Sequence, residues 1–166
     1  MKNALINDIE ITFDRLLSEL AFFSNETLNK TPPFKGWTAG QTVEHIIICG
    51  SGIPDSSVTQ TNRPYDEKIK ILKGIFLDFN AKYEADPSLQ PISEQYKKEE
   101  LIQTLLEIKQ HLMGKAETDN LELLCQDMEF PSLGYLTRHE WLRFIVFHTE
   151  RHIHQISNIR KSLSIT

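Results

Sequence analysis

The segment that decides the fold is residues 137–163, which read TRHEWLRFIVFHTERHIHQISNIRKSL. Its apolar side chains recur at three- and four-residue steps, which is the period of an amphipathic helix. Thr137 stands where an N-cap is expected, and Glu140 three residues later completes a capping box. We therefore predict one long helix that begins with Thr137 as its N-cap and continues to about Leu163.

This helix turns polar side chains toward its own apolar face. At about 100° per residue with His148 set at zero, Trp141 and Ile159 fall at about +20° and define the buried stripe. His152 falls at about +40° and Gln155 at about −20°, inside the same stripe. A buried polar group that lacks a partner costs about 1–3 kcal/mol. The pattern therefore indicates that these polar side chains have a common partner.

A metal ion is one such partner. Imidazoles four residues apart, as in His148 and His152, lie one turn apart on one side of a helix and can bind a single ion. By the same geometry, His154 and His139 should face away from the core axis. His45, on an inward face of another predicted helix, is the third candidate ligand. Nitrogen ligands suit Zn²⁺ or Ni²⁺, and also Fe²⁺ or Mn²⁺. The alternative is that these histidines only satisfy backbone carbonyls or one another.

Helical periodicity also dominates the first half of the chain. A helix of about twenty residues should end near Lys30, because the prolines at 32 and 33 cannot continue it. A second helix should begin after Thr38, whose partner in a capping box is Gln41, and weaken at Gly50. Residues 55–65 are expected to form a polar loop, and residues 66–78 a short extra helix.

The second half adds two more long helices. One should open near Ser93 and bury a row of leucine and isoleucine side chains, and the other is the segment at 137–163. That row is Leu101, Leu105, Ile108 and Leu112. In residues 118–136, between these two helices, the side chains expected to pack on the bundle are Leu121, Leu123, Leu124 and Met128, and a turn is expected at 130–134. With no convincing strand, the pattern predicts an all-α four-helix bundle with long connecting loops, and residues 1–166 as one domain.

The composition narrows the class of protein. The chain has 166 residues, 40% hydrophobic residues and a net charge of −5, which argues against a nucleic-acid-binding protein. Residues 1–20 contain no uninterrupted apolar stretch, so we expect neither a signal peptide nor a membrane span. Two cysteines do not suggest a disulfide framework, and a reduced, cytoplasmic protein is the default expectation.

Two motifs together resemble those of a known superfamily. Residues 37–45, WTAGQTVEH, and the final pattern His148-x-x-x-His152-x-x-Gln155 are similar to the second and last helices of the DinB-like (YfiT-like) four-helix-bundle superfamily. The resemblance covers essentially the whole chain and implies that His45, His148 and His152 are a metal triad. Members with an assigned chemistry include thiol-dependent S-transferases and a thiol-dependent isomerase, and homodimers are common. The resemblance thus implies an enzyme that acts on small molecules, with a low-molecular-weight thiol as one candidate cosubstrate.

The expected mechanism is activation of a nucleophile, because a bound divalent metal lowers the pKa of a thiol or water. Gln155 would orient a ligand, unless it only meets solvent at the end of the bundle. Glu44 and Glu150 point about 100° or more from the metal direction and are interpreted as surface charges. That leaves no obvious carboxylate as a general base, although the hydroxyl of Tyr65 or Tyr135 could act as the base instead. The lack of a base favours thiol activation over hydrolysis.

Cys49 keeps two interpretations open. It lies four residues after His45 on the same helix face, where a thiolate would close the site as a fourth ligand. It could equally be a small core residue. The corresponding alternative functions are a non-catalytic metal-binding or stress-related protein, and a helical scaffold without metal.

Overall fold

Six helices and two very short strands form along residues 2–166, the part of the chain that this computed structural model describes. The helices are α1 (Lys2–Ala21), α2 (Asn25–Leu28), α3 (Ala39–Gly50), α4 (Ile69–Phe76), α5 (Lys98–Thr118) and α6 (Arg138–Ser162). The strands are β1 (Val58–Thr59) and β2 (Leu124–Cys125), and a single 3₁₀ turn covers Pro87–Leu89.

Both predicted capping boxes are present. The Thr38 hydroxyl accepts a hydrogen bond from the Gln41 backbone N–H at 3.1 Å, and the Gln41 side chain accepts one from the Thr38 N–H at 3.0 Å. Thr137 and Glu140 form the same reciprocal pair at 3.2 and 2.9 Å. These bonds satisfy N–H groups that have no partner inside the helix, so they fix where α3 and α6 begin.

The four long helices pack as a bundle. The first, α1, lies against α5 and α6, and α3 lies against the same two helices, while α4 packs on α6. The predicted apolar stripes form the core between them. Their fully buried members include Leu5, Ile9, Phe13, Leu16, Leu20, Leu105, Leu112, Ile156 and Ile159. The prediction of an all-α four-helix bundle is confirmed.

Several boundaries differ from the predicted ones. The first helix ends at Ala21 instead of near Lys30, because Ser24 caps a separate turn of helix, α2, through a box with Thr27. The third long helix begins at Lys98 instead of near Ser93, because the preceding residues run across α3 and are hydrogen-bonded to it.

The two long loops are also more ordered than expected. Val58 pairs with Cys125 in a short antiparallel ladder that joins the loop at 55–65 to the segment at 118–136. Met128, expected to pack on the bundle, is 51% exposed because it lies beyond this ladder. No helix within residues 2–166 combines the length and the apolar character needed to cross a membrane.

Candidate metal centre

Three histidine side chains meet between α3 and α6. His45 comes from the middle of α3, and His148 and His152 come from successive turns of α6. Each is less than a tenth exposed. The angles around the α6 axis predict that His148 and His152 lie on the buried stripe of this helix. The packing of α3 against α6 brings His45 to them.

The Nε2 atoms of the three rings converge. His148 Nε2 lies 3.1 Å from His45 Nε2 and 3.1 Å from His152 Nε2. Nitrogen ligands about 2.0–2.1 Å from one tetrahedral ion are separated from each other by about 3.3 Å. The observed separations are therefore close to those of ligands that share one ion.

The opposite ring nitrogens fix the direction of two lone pairs. His45 Nδ1 lies 2.7 Å from the Leu89 carbonyl oxygen, which can only accept, so Nδ1 carries the hydrogen. His152 Nδ1 likewise donates to Gln155 Oε1 at 2.8 Å. In the neutral rings, the Nε2 atoms of His45 and His152 are then both acceptors, and both point at His148.

This arrangement fits a cation. His148 Nε2 can donate one hydrogen at most, so it can satisfy one of the two facing lone pairs but not both. The Cys49 thiol, a weak donor with Sγ 3.9 Å from His45 Nε2, is the alternative partner for the remaining lone pair, whereas a cation at the point of convergence would satisfy all three nitrogens. The hydrogen bonds from His45 Nδ1 to the Leu89 carbonyl and from His152 Nδ1 to Gln155 are also of the kind that orients metal-binding histidines.

The rings are held in the neutral form that binds metals. Burial lowers the pKa of His148 well below its ordinary value, and the neighbouring His152 and His45 lower it further. Burial likewise lowers the pKa of His152 to about 4, with His45 as a second cause. Burial also lowers the pKa of His45, against an opposing contribution from its hydrogen bond to Leu89.

Cys49 lies at the edge of this cluster. Its Sγ is 3.8 Å from His45 Nδ1 and 3.9 Å from His45 Nε2. One ligand atom from each of His45, Cys49 and His148 lies within 4.8 Å of the others, so these residues form a second group that could hold an ion. Burial raises the pKa of the Cys49 thiol to about 12, which disfavours the thiolate unless a cation is bound. The distances from His148 Nε2 to the Nε2 atoms of His45 and His152, 3.1 Å each, are shorter than these sulfur distances.

Aromatic side chains form the walls around the three rings. The Trp37 ring centre is 5.0 Å from that of His45, so Trp37 borders the site as well as preceding α3. Phe144 and Phe76 lie 5.3 and 5.8 Å from His148. The position of Trp37 just before the α3 cap was a signal in the sequence that it lies near His45.

The two nearby glutamates are engaged elsewhere, not left as free surface charges. Glu150 accepts a hydrogen bond from Thr12 at 3.0 Å and forms an ion pair with Arg15 at 2.6 Å, which ties α6 to α1. Glu44 accepts hydrogen bonds from a segment that precedes α5. Within residues 2–166, the structure shows no hydrogen bond or ion pair between a carboxylate and the three rings.

The tyrosines proposed as substitutes for a base are attached near the start of α6. The Tyr65 ring packs against His139, 5.2 Å between centres. His148 follows His139 by nine residues, about 13 Å along the helix axis. Tyr135 precedes the α6 cap and is 38% exposed. Both tyrosines therefore lie near the N-terminal end of α6, whereas His148 and His152 lie in the middle of this helix.

His154 and His139, which were set aside from the metal site, have different surroundings. His154 is exposed and stacks on Phe79 at 4.5 Å, as expected for a residue that faces away from the core. His139 is only 5% exposed, contrary to what its outward direction suggested. The segments around Tyr65 and Leu121 cover it, and its backbone N–H donates to the Leu121 carbonyl. Burial lowers its pKa to about 4, and the Arg143 cation contributes.

Comparisons with known proteins agree with this architecture. Over 99% of its length, the chain is similar in fold to 89% of YfiT from Bacillus subtilis, with a TM-score of 0.65 and 18% sequence identity. YfiT is described as a probable metal-dependent hydrolase with an unusual four-helix bundle topology. No curated protein matches the chain. The family model of the DinB superfamily matches residues 8–156, and the chain belongs to this superfamily.

Proposed function

We propose that this protein is a metal-dependent enzyme in which His45, His148 and His152 hold one divalent cation that activates a nucleophile for attack on a small molecule. The observation that carries the proposal is the convergence of three Nε2 atoms, with separations of 3.1 Å from His148 to each of the other two. Zn²⁺ or Ni²⁺ suits this donor set, and Fe²⁺ or Mn²⁺ is also compatible with it.

The chain itself supplies orientation. Leu89 and Gln155 hold His45 and His152 in the tautomer that presents Nε2 to the cation. In this proposal Gln155 positions His152 instead of contacting the substrate. A divalent cation held by three neutral imidazoles keeps its full charge and lowers the pKa of a thiol or water that binds it.

The aromatic side chains around the three histidines and the contacts of the two nearby glutamates indicate which substrates to test. Trp37, Phe76 and Phe144 offer aromatic surface, which suits a substrate with an apolar or aromatic part. Glu44 and Glu150 are committed to other contacts, so neither of these carboxylates is poised to take a proton from water. A thiol, with an ordinary pKa of about 8.5 against about 15.7 for water, needs less help to ionise. This difference in pKa favours thiol transfer over hydrolysis. Hydrolysis is the activity that the description of YfiT gives for that protein.

The decisive test compares two histidine variants on the same helix. Protein purified without a His-tag should contain one cation per chain by elemental analysis. His148→Ala should lose the cation and His154→Ala should keep it, because His154 is exposed outside the cluster. Wild-type protein without bound metal, or His148→Ala with full occupancy, would rule out the proposed site.

The reaction class is tested on the same proteins. Metal-loaded enzyme is incubated with a low-molecular-weight thiol and an aromatic electrophile, and separately with an activated ester. We expect thiol adduct formation that depends on His148 and exceeds ester hydrolysis. Ester hydrolysis that exceeds adduct formation would instead indicate that the protein is a hydrolase.

The position of Cys49 supports a second candidate, a non-catalytic metal-binding protein with a closed site. A thiolate ligand would complete four-coordination, which is typical of structural metal sites. Substitution of the cation by Co²⁺ separates the two candidates, since a thiolate–cobalt bond gives a charge-transfer absorption in the near ultraviolet. The enzyme proposal predicts no such band. A band that disappears in Cys49→Ser would favour the closed site.

Two further properties belong to this proposal. Homodimers are common in the superfamily, and we expect one here, to be checked by sedimentation velocity. Cys49 and Cys125 are both free thiols, in keeping with a reducing cytoplasmic location, which fractionation of the source cells would test.

A further inference from the structure

The chain between α4 and α5 supplies one of the contacts that orient the metal centre. We call residues 85–97 the strap. Its 3₁₀ turn, Pro87–Leu89, lies against α3, and the Leu89 carbonyl oxygen accepts the Nδ1 hydrogen of His45 at 2.7 Å. The direction of the His45 lone pair therefore depends on where the strap is held.

Glu44, the residue before His45, holds the strap. Its carboxylate accepts hydrogen bonds from the backbone N–H groups of Ile92 at 3.0 Å and Ser93 at 3.2 Å. The Ser93 hydroxyl donates to it at 3.2 Å, and the Tyr96 hydroxyl donates as well. Burial would raise the pKa of Glu44, but these hydrogen bonds outweigh it and lower the pKa. Four donors on one carboxylate make Glu44 an anchor and not a free base.

Tyr96 is in turn fixed against α3. Its backbone N–H donates to Asn29 Oδ1 and its carbonyl accepts from Asn29 Nδ2, both at 2.8 Å. Its ring lies on the backbone of Gly40, where an added Cβ would be 2.8 Å from Tyr96 Cγ. Gly40 and Glu44 are four residues apart and so share one face of α3, which is the face that receives the strap.

We propose that Glu44 is a positioning residue of the metal centre, acting through the strap and the Leu89 carbonyl to keep His45 in its Nδ1–H tautomer with Nε2 aimed at His148. The inference rests on the proposed function of the triad. It gives a role to a carboxylate that is adjacent in the sequence to a candidate ligand but makes its own contacts with the strap.

The test measures Zn²⁺ affinity by chelator competition in full-length protein. Loss of a hydrogen bond that orients a metal-binding histidine, such as that from His45 to Leu89, weakens metal affinity about 10- to 100-fold, and we expect Glu44→Ala to raise the Kd within that range. Glu94→Ala is the matched control, because Glu94 is an exposed carboxylate of the same strap. It removes the same charge without removing the anchor, and its Kd should equal that of the wild type.

A second readout separates positioning from a merely structural role. Long-range ¹H–¹⁵N correlation spectra of metal-free protein at mildly alkaline pH report the tautomer of His45. We expect the Nδ1–H form in the wild type and in Glu94→Ala, and a substantial Nε2–H population in Glu44→Ala. Folded Glu44→Ala with the tautomer and Kd of the wild type would overturn the inference.

Two results, a Glu44→Ala variant that does not fold and a wild type that binds no Zn²⁺, each call for a different comparison. If Glu44→Ala does not fold, Tyr96→Phe removes one donor to Glu44 while it keeps the ring on Gly40, and a shift of tautomer and Kd in the same direction is expected. No shift in that variant would count against the inference. If the wild type binds no Zn²⁺, the proposed function of the triad fails. The tautomer comparison in metal-free protein then still decides whether Glu44 orients His45.

Discussion

Replacement of His139 by glutamine should make the protein less sensitive to acid. The imidazole is 5% exposed, lies under Tyr65, and its Nδ1 is buried with no hydrogen-bond partner in the described part of the chain. Burial, with a contribution from Arg143, lowers its pKa from 6.5 to about 4. Glutamine keeps a polar side chain of similar length but cannot titrate.

The sign and size of the effect follow from proton linkage. The folded-state pKa lies below the unfolded one, so the unfolded chain takes up the proton first as the pH falls. Stability is complete above about pH 6.5 and is lost progressively down to about pH 4. A shift of this size corresponds to at most about 3 kcal/mol in full, of which about 2 kcal/mol is lost between about pH 7 and about pH 5.

The assay is urea unfolding of metal-free wild type and His139→Gln across this pH range. Both proteins contain the same triad, whose own protonation contributes equally and cancels in the difference. We expect the free energy of unfolding of the wild type to fall by about 2 kcal/mol more than that of the variant between about pH 7 and about pH 5. Parallel curves would refute the reasoning, as would an NMR titration in which the His139 ring protonates near its ordinary pKa.

Three further perturbations probe other parts of the molecule. Gly40→Ala should destabilise the protein by about 1–3 kcal/mol in chemical denaturation, because the new methyl group would overlap the Tyr96 ring. Arg63→Ala should cost about 3–5 kcal/mol in the same assay, since it leaves the fully buried Glu140 carboxylate without its cation. Cys49→Ser should retain one cation per chain by elemental analysis, and loss of the cation would show that the thiol is a ligand.

How much could be predicted from the sequence is clearest on α6. Its apolar period, its capping box and the four-residue spacing of His148 and His152 are local features, and each can be read without knowing the rest of the fold. The same holds for the start of α3 at Thr38. Long helices with both signals are therefore placed correctly from the sequence alone.

Features that depend on loops could not be predicted in this way. The burial of His139 is produced by segments distant in sequence, and a helical wheel contains no information about them. The contacts of Glu44 depend on the path of the strap, which has no regular period. Gly40, a glycine inside the predicted second helix, was the one local sign that another segment approaches α3 closely.

The separation of the triad along the chain has a consequence for stability. His45 and His148 are 103 residues apart, so a shared cation would close a loop over most of the molecule, as a disulfide does. In the chain-entropy description, a cross-link that closes a loop of about 100 residues stabilises a protein by about 4.7 kcal/mol. Unlike a disulfide, this cross-link could be removed by a chelator, and we expect chelation to lower the melting temperature of the wild type but not that of His148→Ala. The supply of metal would then control how long the chain stays folded, as well as whether its site is active.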